Sequence, residues 1–421
     1  MGLKILIASV NHEHATTMHI NYYHALADVA DVTFFGPGFS SQDDLEKGIR
    51  QFAETHGKFD AVIYTFPLFL HSLDFFPIRE AYKWNRYFLS YYSVHEAVRY
   101  ASGILNEIRQ MDTLKLILYS QDYINLTESW EKGLRWMLEK DFYIITWGED
   151  FVPDMDEKSC RTFGESLVIS NRYKCLVKEY KEKVISIPYE AVISSEYYFG
   201  TLQNREFDWV VPGNIDGCYP KRGKILEQVE QAGYKIYKNF ADRTMAYKTD
   251  PGRVDKCHYN REIDRFIDER LGVCTPYLKN DLTREALVCW RERYNVSLRS
   301  SRIAYADGGS AHTFVQKYME IPARGTLLAA DYVCGLDKLG FLDGENMVAV
   351  TPENVLDISA ELFRNSDKME QIARKGQKLV ISKHTSAKRA QDTVRAIESI
   401  LNKNFSGSFW ENGDFHIISN K

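Results

Sequence analysis

Short apolar runs of strand length alternate with longer stretches of helical period along most of this chain, and the alternation starts afresh midway. In the first half the strand-like runs are Lys4–Val10, Asp31–Phe35, Asp60–Thr65, Arg86–Tyr92, Leu114–Tyr119, Phe142–Trp147 and Ser166–Ser170. A helix from Asp43 to His56 precedes the third, and helices separate several of the others. This pattern is that of parallel βα units, because a strand followed by a helical crossover returns to lie parallel to its predecessor. An open α/β sheet is the expectation. Val184–Tyr189 reads as its last strand, closed by Pro188, and the aperiodic polar and aromatic stretch up to Asn204 reads as a linker.

Phe207-Asp208-Trp209-Val210-Val211-Pro212-Gly213-Asn214 then gives a new strand and a glycine turn, followed by a helix over Arg222–Ala232 and a strand at Gly233–Tyr237. Downstream, strands at Ser301–Asp307 and Gly325–Asp331 bracket a helix around Thr313–Ala323. Met347–Val350 precedes helices at Glu353–Arg364 and Lys368–Ser382, and a final helix at Ser386–Leu401 leads into a polar and aromatic tail. At 421 residues the chain exceeds what a single core usually supports. The expected organisation is an α/β protein of two Rossmann-like domains, residues 1–190 and 205–385, with residues 386–421 as a terminal helix and tail.

Composition narrows the function classes. With 44% hydrophobic and 26% charged residues the chain is an ordinary globular one. Its net charge of −5 offers no general attraction to nucleic acid, so no nucleic-acid partner is expected. The seven cysteines, scattered from Cys160 to Cys334 without a CxxC pair, suggest neither a disulfide framework nor a zinc site; they read as reduced thiols of a cytoplasmic protein. The opening run Met1–Ala8 is too short for a signal peptide, and no window approaches a membrane span, which leaves at most peripheral membrane contact.

The most informative stretch is Gln316-Lys317-Tyr318-Met319-Glu320-Ile321-Pro322-Ala323-Arg324-Gly325. It resembles the donor-site helix of GT-B glycosyltransferases, most closely the spore-maturation CgeB-like branch. There a basic residue, two apolar residues, Glu, an apolar residue, Pro, Ala and Gly follow in this order. Ala373-Arg374-Lys375-Gly376-Gln377 and His384-Thr385-Ser386-Ala387-Lys388-Arg389-Ala390 are similar to the family's closing segment, and Pro212–Arg222 to its turn after the first strand of the second domain. The resemblance spans about Val210 to Ile397. It implies two Rossmann-like domains facing a cleft, a final helix that crosses back to the first domain, and transfer of a sugar from a nucleoside-diphosphate donor to a hydroxyl acceptor, with retention and without a required metal or other cofactor.

The spacing makes chemical sense of that implication. A carboxylate in the first turns of a helix can accept both ribose hydroxyls while the N–H groups at the helix start lie near a diphosphate, so the resemblance implies Glu320 as the expected ribose ligand. Gly308-Gly309-Ser310 supplies a loop whose backbone can approach phosphate oxygens closely, and Lys317 lies one turn before Glu320. In the turn formed by Gly213, Asn214, Tyr219, Lys221 and Arg222, the resemblance assigns to Arg222, backed by Lys221, the stabilisation of the leaving diphosphate. His312 stands eight residues before Glu320, where the broader retaining pattern has a Glu, and can hydrogen-bond a sugar or phosphate oxygen instead.

In the first half, His95 stands at a strand end where relatives carry a catalytic His. His12 and His14, after the first strand, and Asp122, past the run Leu114–Tyr119, are further candidates for the acceptor side. Three rivals stay open: a nucleotide-sugar epimerase on the same scaffold, a non-catalytic structural or sugar-binding protein, and a glycosyltransferase acting on DNA bases.

Overall fold

A computed structural model describes residues 2–9, 18–36, 39–65, 103–118, 128–154, 171–191, 197–213, 215, 219–237, 294–309 and 312–420. Strands β1 (Lys4–Ala8), β2 (Asp31–Phe35), β3 (Ala61–Tyr64), β4 (Leu114–Leu118), β5 (Phe142–Thr146) and β6 (Val184–Ser186) form one sheet in the order β2-β1-β3-β4-β5-β6, every pair parallel. Strands β7 (Phe207–Val210), β8 (Ser301–Ala306), β9 (Leu327–Ala330) and β10 (Val348–Ala349) form a second parallel sheet in the order β10-β9-β8-β7. Ile5 to Ala8 and Leu327 to Ala330 are buried without alternation, as strands covered on both faces must be.

Helices α1 (Met18–Ala27), α2 (Gln42–Lys47), α3 (Ile49–His56), α4 (Glu128–Glu139) and α5 (Arg172–Glu179) accompany the first sheet. The second has α6 (Pro220–Gln231), α7 (Lys317–Ala323), α8 (Val355–Arg364), α9 (Ser366–Lys383) and α10 (Ser386–Leu401). Several expectations are corrected. The helix expected over Asp43–His56 is broken at Gly48, whose φ is +85°. Gly233–Tyr237 adds only a single bridge, Trp209 to Ile236, and α7 starts at Lys317 because Thr313 to Gln316 are not helical. The polar and aromatic tail forms a hairpin, β11 (Phe405–Glu411) and β12 (Asp414–Ser419). The strands expected at Arg86–Tyr92 and Ser166–Ser170 lie outside the described residues.

The halves are joined through α10 and the crossover segment 187–191. Thr385 caps α10 by accepting from Lys388 N at 3.2 Å, and Tyr22 of α1 shares a 2.6 Å hydroxyl contact with Thr393 of α10. Arg389, fully buried, donates to Pro188 O, Tyr189 O and Lys383 O at 3.0, 3.2 and 3.2 Å and packs over Trp410. His384 donates from Nε2 to Leu339 O and accepts from Arg389 at Nδ1, a tautomer set by the carbonyl, which can only accept. Burial and the neighbouring guanidinium hold its pKa well below the usual histidine range, so it stays neutral. The hairpin closes over β6: Trp410 Nε1 donates to Ser186 O at 2.8 Å and Ser186 N donates to Ser408 Oγ at 2.8 Å.

Candidate functional site

The carboxyl edge of the second sheet gathers most of the described candidate residues. Gly213, three residues beyond β7 with φ +101°, turns the chain so closely past its neighbours that a Cβ there would lie 2.9 Å from Arg222 Nη1 and 3.4 Å from Lys317 Nζ. The glycine turn and the start of α7, separated by about a hundred residues of sequence, thus meet at one point. Arg222 opens into this corner from the first turn of α6, where Pro220 supplies a preset backbone angle, and its guanidinium lies 3.6 Å over the ring of Tyr219.

Arg222 is turned into the protein, away from solvent. It is 1% exposed, and its Nε donates to Asp307 Oδ1 at 2.6 Å while Nη2 donates to Asp307 O at 3.3 Å. Asp307 directly follows β8, and Asp331 holds the equivalent place after β9, at the strand ends where open α/β sheets bind ligands. Burial pushes the Asp307 carboxyl above its ordinary range, Arg222 opposes that, and Asp331 adds to it. Its Oδ2 is buried without a hydrogen-bond partner among the described residues. Lys221 Nζ sits 2.7 Å from Asp331 Oδ2, with His312 Nδ1 at 3.7 Å from the same oxygen. His312 is half-exposed in the left-handed region at φ +49°, in the loop entering α7.

That loop closes on itself. Thr313 N donates to Gly308 O at 3.3 Å and His312 N to Gly309 O at 3.2 Å, and a Cβ on Gly308 would lie 2.5 Å from Thr313 N. Gly308 is therefore required by the loop's own backbone, whatever else approaches it. Glu320 follows in the first turn of α7, half-buried. Tyr294, from the helical stretch 294–300, donates to its Oε2 at 2.5 Å; among the described residues nothing hydrogen-bonds Oε1. Arg324 fixes the same turn by donating to Glu320 O at 2.8 Å and to Asn295 Oδ1 from Nε at 2.9 Å.

The first half abuts this site. Phe314, in the loop before α7, packs against Trp147 just beyond β5 and against Tyr189 of the crossover, with ring centroids 6.5 and 6.2 Å apart. Of the sequence candidates, the structure brings together Gly213, Tyr219, Lys221, Arg222, Gly309, His312, Lys317 and Glu320 around the edge of the second sheet. Asn214, Ser310, His12, His14, His95 and Asp122 lie outside the described residues. Sequence reasoning missed Asp307, Asp331 and Tyr294. An Asp immediately after an apolar run, as in Ala304-Tyr305-Ala306-Asp307 and Ala329-Ala330-Asp331, was the available signal for the first two. Among the described residues no group of three or more His, Cys, Asp or Glu side chains is placed to hold a metal ion, and no helix is long and apolar enough to cross a membrane.

Residues 277–395 match a family model described as glycosyl transferase-like. No curated protein matches the chain. Among solved structures, a glycosyltransferase from Rickettsia africae is 10% identical, with 96% of this chain and 99% of that one covered at a TM-score of 0.51. Sucrose-phosphate synthase from Thermosynechococcus elongatus is 12% identical, covering 95% and 100% at 0.47. The Anabaena protein HepE in complex with UDP and glucose is 13% identical, covering 94% and 100% at 0.46. The chain thus carries a glycosyltransferase-like segment on two parallel α/β sheets, with the architecture of the GT-B glycosyltransferases.

Proposed function

We propose that this protein is a GT-B glycosyltransferase that moves a sugar from a nucleoside-diphosphate donor to a hydroxyl acceptor, in making a polysaccharide, glycolipid or glycosylated metabolite. The donor sits on the half spanning residues 205–385 and the acceptor on residues 1–190, with residues 386–421 bridging the two. The observation that carries this reading is the pairing of Glu320, anchored through one carboxylate oxygen by Tyr294, with the cationic corner of Gly213, Arg222 and Lys317 one helical turn away. The remaining oxygen accepts ribose hydroxyls, and the corner receives the diphosphate.

In the reaction the acceptor oxygen bonds to the anomeric carbon as the bond from that carbon to the diphosphate oxygen breaks. The diphosphate leaves with the bonding electron pair, and in a retaining course its oxygen takes the acceptor's proton. Lys317 and the Arg222 edge stabilise the charge that develops on the leaving group, which removes the need for a metal ion at that position. Retention and closeness to the CgeB-like branch rest on the motif around Glu320, with His312 replacing a Glu as the residue facing a sugar or phosphate oxygen. Closure of the halves over the donor keeps water from hydrolysing it.

The test is a thermal-shift and calorimetry panel of UDP-, GDP-, ADP-, CDP- and TDP-glucose against wild type and Glu320→Ala. A ligand at a hundredfold its dissociation constant stabilises by about 2.7 kcal/mol. One nucleotide class should stabilise the wild type and not the variant; a panel in which none does refutes the reading. Product analysis without acceptor separates transfer from epimerisation.

A further inference from the structure

The two loops that carry the charged corner also reach the first half, and both land on the same short segment there. The loop entering α7 bears His312 and then Phe314, and the loop leaving β9 begins at Asp331 and runs on to Cys334 and Gly335. We infer that residues 147–152 of the first half are coupled through these loops to the charged corner. An anion bound at Lys221 and His312 then shifts this segment, and a wedge between the segment and Gly335 weakens anion binding in return. That the anion is the donor diphosphate rests on the donor-site reading above.

The segment is firmly attached to the first sheet. It runs from Trp147, just beyond β5, through a 3₁₀ turn at Glu149–Phe151. Tyr173 Oη donates to Trp147 O at 3.1 Å, and Gly148 N donates to Ser186 Oγ of β6 at 3.0 Å. Trp147, Phe151 and Val152 are at most 2% exposed.

The donor half meets it at two places. Phe314 packs on the ring of Trp147. Gly335, at φ +84°, leaves room for the Phe151 ring, since a Cβ there would lie 2.4 Å from Phe151 Cδ1 and 3.0 Å from Asp150 O. Beside it Cys334 Sγ donates to Asp150 O at 3.0 Å. Phe151, Phe314 and Leu336 belong to one buried apolar cluster that runs through both halves, so the seam is dry at this point.

At their other ends the two loops are tied together. Asp331 N donates to Ala306 O at 3.0 Å, Tyr318 Oη donates to Asp331 O at 2.8 Å, and the Asp331 carboxylate holds Lys221 with His312 beside it. The contacts therefore close a circuit from Asp331 through His312 and Phe314 to Trp147, along the segment to Phe151, and back through Gly335. Packed interiors have few voids and transmit displacement. An anion that draws Lys221 or His312 away from Asp331 moves one end of both loops, and the other end follows only by moving against Trp147 and Phe151. Linkage makes the effect on binding reciprocal.

The test is amide hydrogen exchange of the full chain, read on peptides covering residues 147–152, 312–316 and 331–336. It is run without ligand and with a saturating amount of the nucleoside-diphosphate glucose that the panel selects. Gly335→Ala sets a methyl group against Phe151, Phe151→Leu makes room for it, and the double variant combines them. In wild type the ligand should raise protection at 147–152. Gly335→Ala should speed exchange at 312–316 as well as in its own loop, and should weaken nucleotide-sugar affinity by about fivefold or more. Adding Phe151→Leu should restore most of both.

Exchange that changes only at 331–336 in Gly335→Ala overturns the inference, because the loop of His312 then does not feel the wedge. A ligand that binds and leaves 147–152 unchanged overturns it too. So does a double variant no better than Gly335→Ala, whose loss then comes from backbone strain and not from Phe151. All three results leave the donor-site reading standing. If no nucleotide sugar binds wild type, that reading falls, and the ligand-free exchange of Gly335→Ala at 312–316 still decides the coupling. Phe314→Leu thins the other contact and should speed exchange at 331–336, so the outcome does not depend on Gly335→Ala keeping its fold.

Discussion

Glu190→Gln makes a pH-dependent stability prediction that needs no ligand. In the unfolded chain the carboxyl titrates at its ordinary 4.5, and in the folded protein at about 7. Between those values the folded state binds more protons than the unfolded one, so this group's contribution falls as pH rises from 4.5 to 7 and stays at its lowest above that. Keeping the ionised form buried costs about 3 kcal/mol at pH 8 relative to pH 4.5. Gln does not titrate, so the variant should match wild type near pH 4.5 and exceed it by about that amount at pH 8. With roughly 2.1 cal/mol/K of unfolding entropy for each of the 421 residues, this corresponds to a melting temperature about 3 °C higher. Among the other groups, Asp392 is also raised by burial but starts from 3.8, Tyr22 is pushed above the tyrosine range, and His384 stays neutral. The assay is the melting temperature of both proteins from pH 4.5 to 8.5. A difference that is flat with pH, or that shrinks as pH rises, refutes the reasoning.

Two further perturbations test the framework of the site. Asp307→Ala strips a counter-charge from Arg222, both 1% exposed, and should lower stability by about 3–5 kcal/mol; a melting temperature within a degree of wild type would mean that Arg222 is neutralised elsewhere. Deleting the residues after Asn402 removes Trp410, which is 1% exposed and bonded to Ser186 O. The truncated chain should lose at least the roughly 3–5 kcal/mol of stability typical of losing a buried Trp and so melt earlier, and unchanged melting would sink the idea that the hairpin supports the first sheet.

Much of the scaffold was legible because parallel strands buried on both faces leave unmistakable apolar runs, as Lys4–Ala8 and Leu327–Ala330 do. The final helix was legible to the residue, since Thr385 is a good cap and its apolar face repeats over sixteen residues. The hairpin was not: Phe405–Glu411 and Asp414–Ser419 mix serine, glycine and charge because one face is exposed, and their stability comes from β6 and α10, remote in sequence. In the site, Glu320 and Lys317 were readable from a local motif. Their relation to Gly213, and the roles of Asp307, Asp331 and Tyr294, depend on three strand ends lying side by side, which no window of sequence contains.

The cations of the site carry a consequence for how a diphosphate would be met. Arg222 is paired with Asp307 and Lys221 with Asp331, so both of these assigned cations already have carboxylate partners. Such pairing avoids stranding charge in a buried corner, and it also means that an arriving diphosphate would gain less from them than from bare cations. Asp307 is where this balance can move, because its burial already favours protonation and Arg222 alone holds it down by direct hydrogen bonds. A diphosphate that draws the guanidinium toward itself weakens that hold, raises the Asp307 pKa further and favours uptake of a proton by the carboxylate. On the proposed donor-site reading, anion binding and proton binding at Asp307 then reinforce one another, so that diphosphate affinity is expected to rise as pH falls.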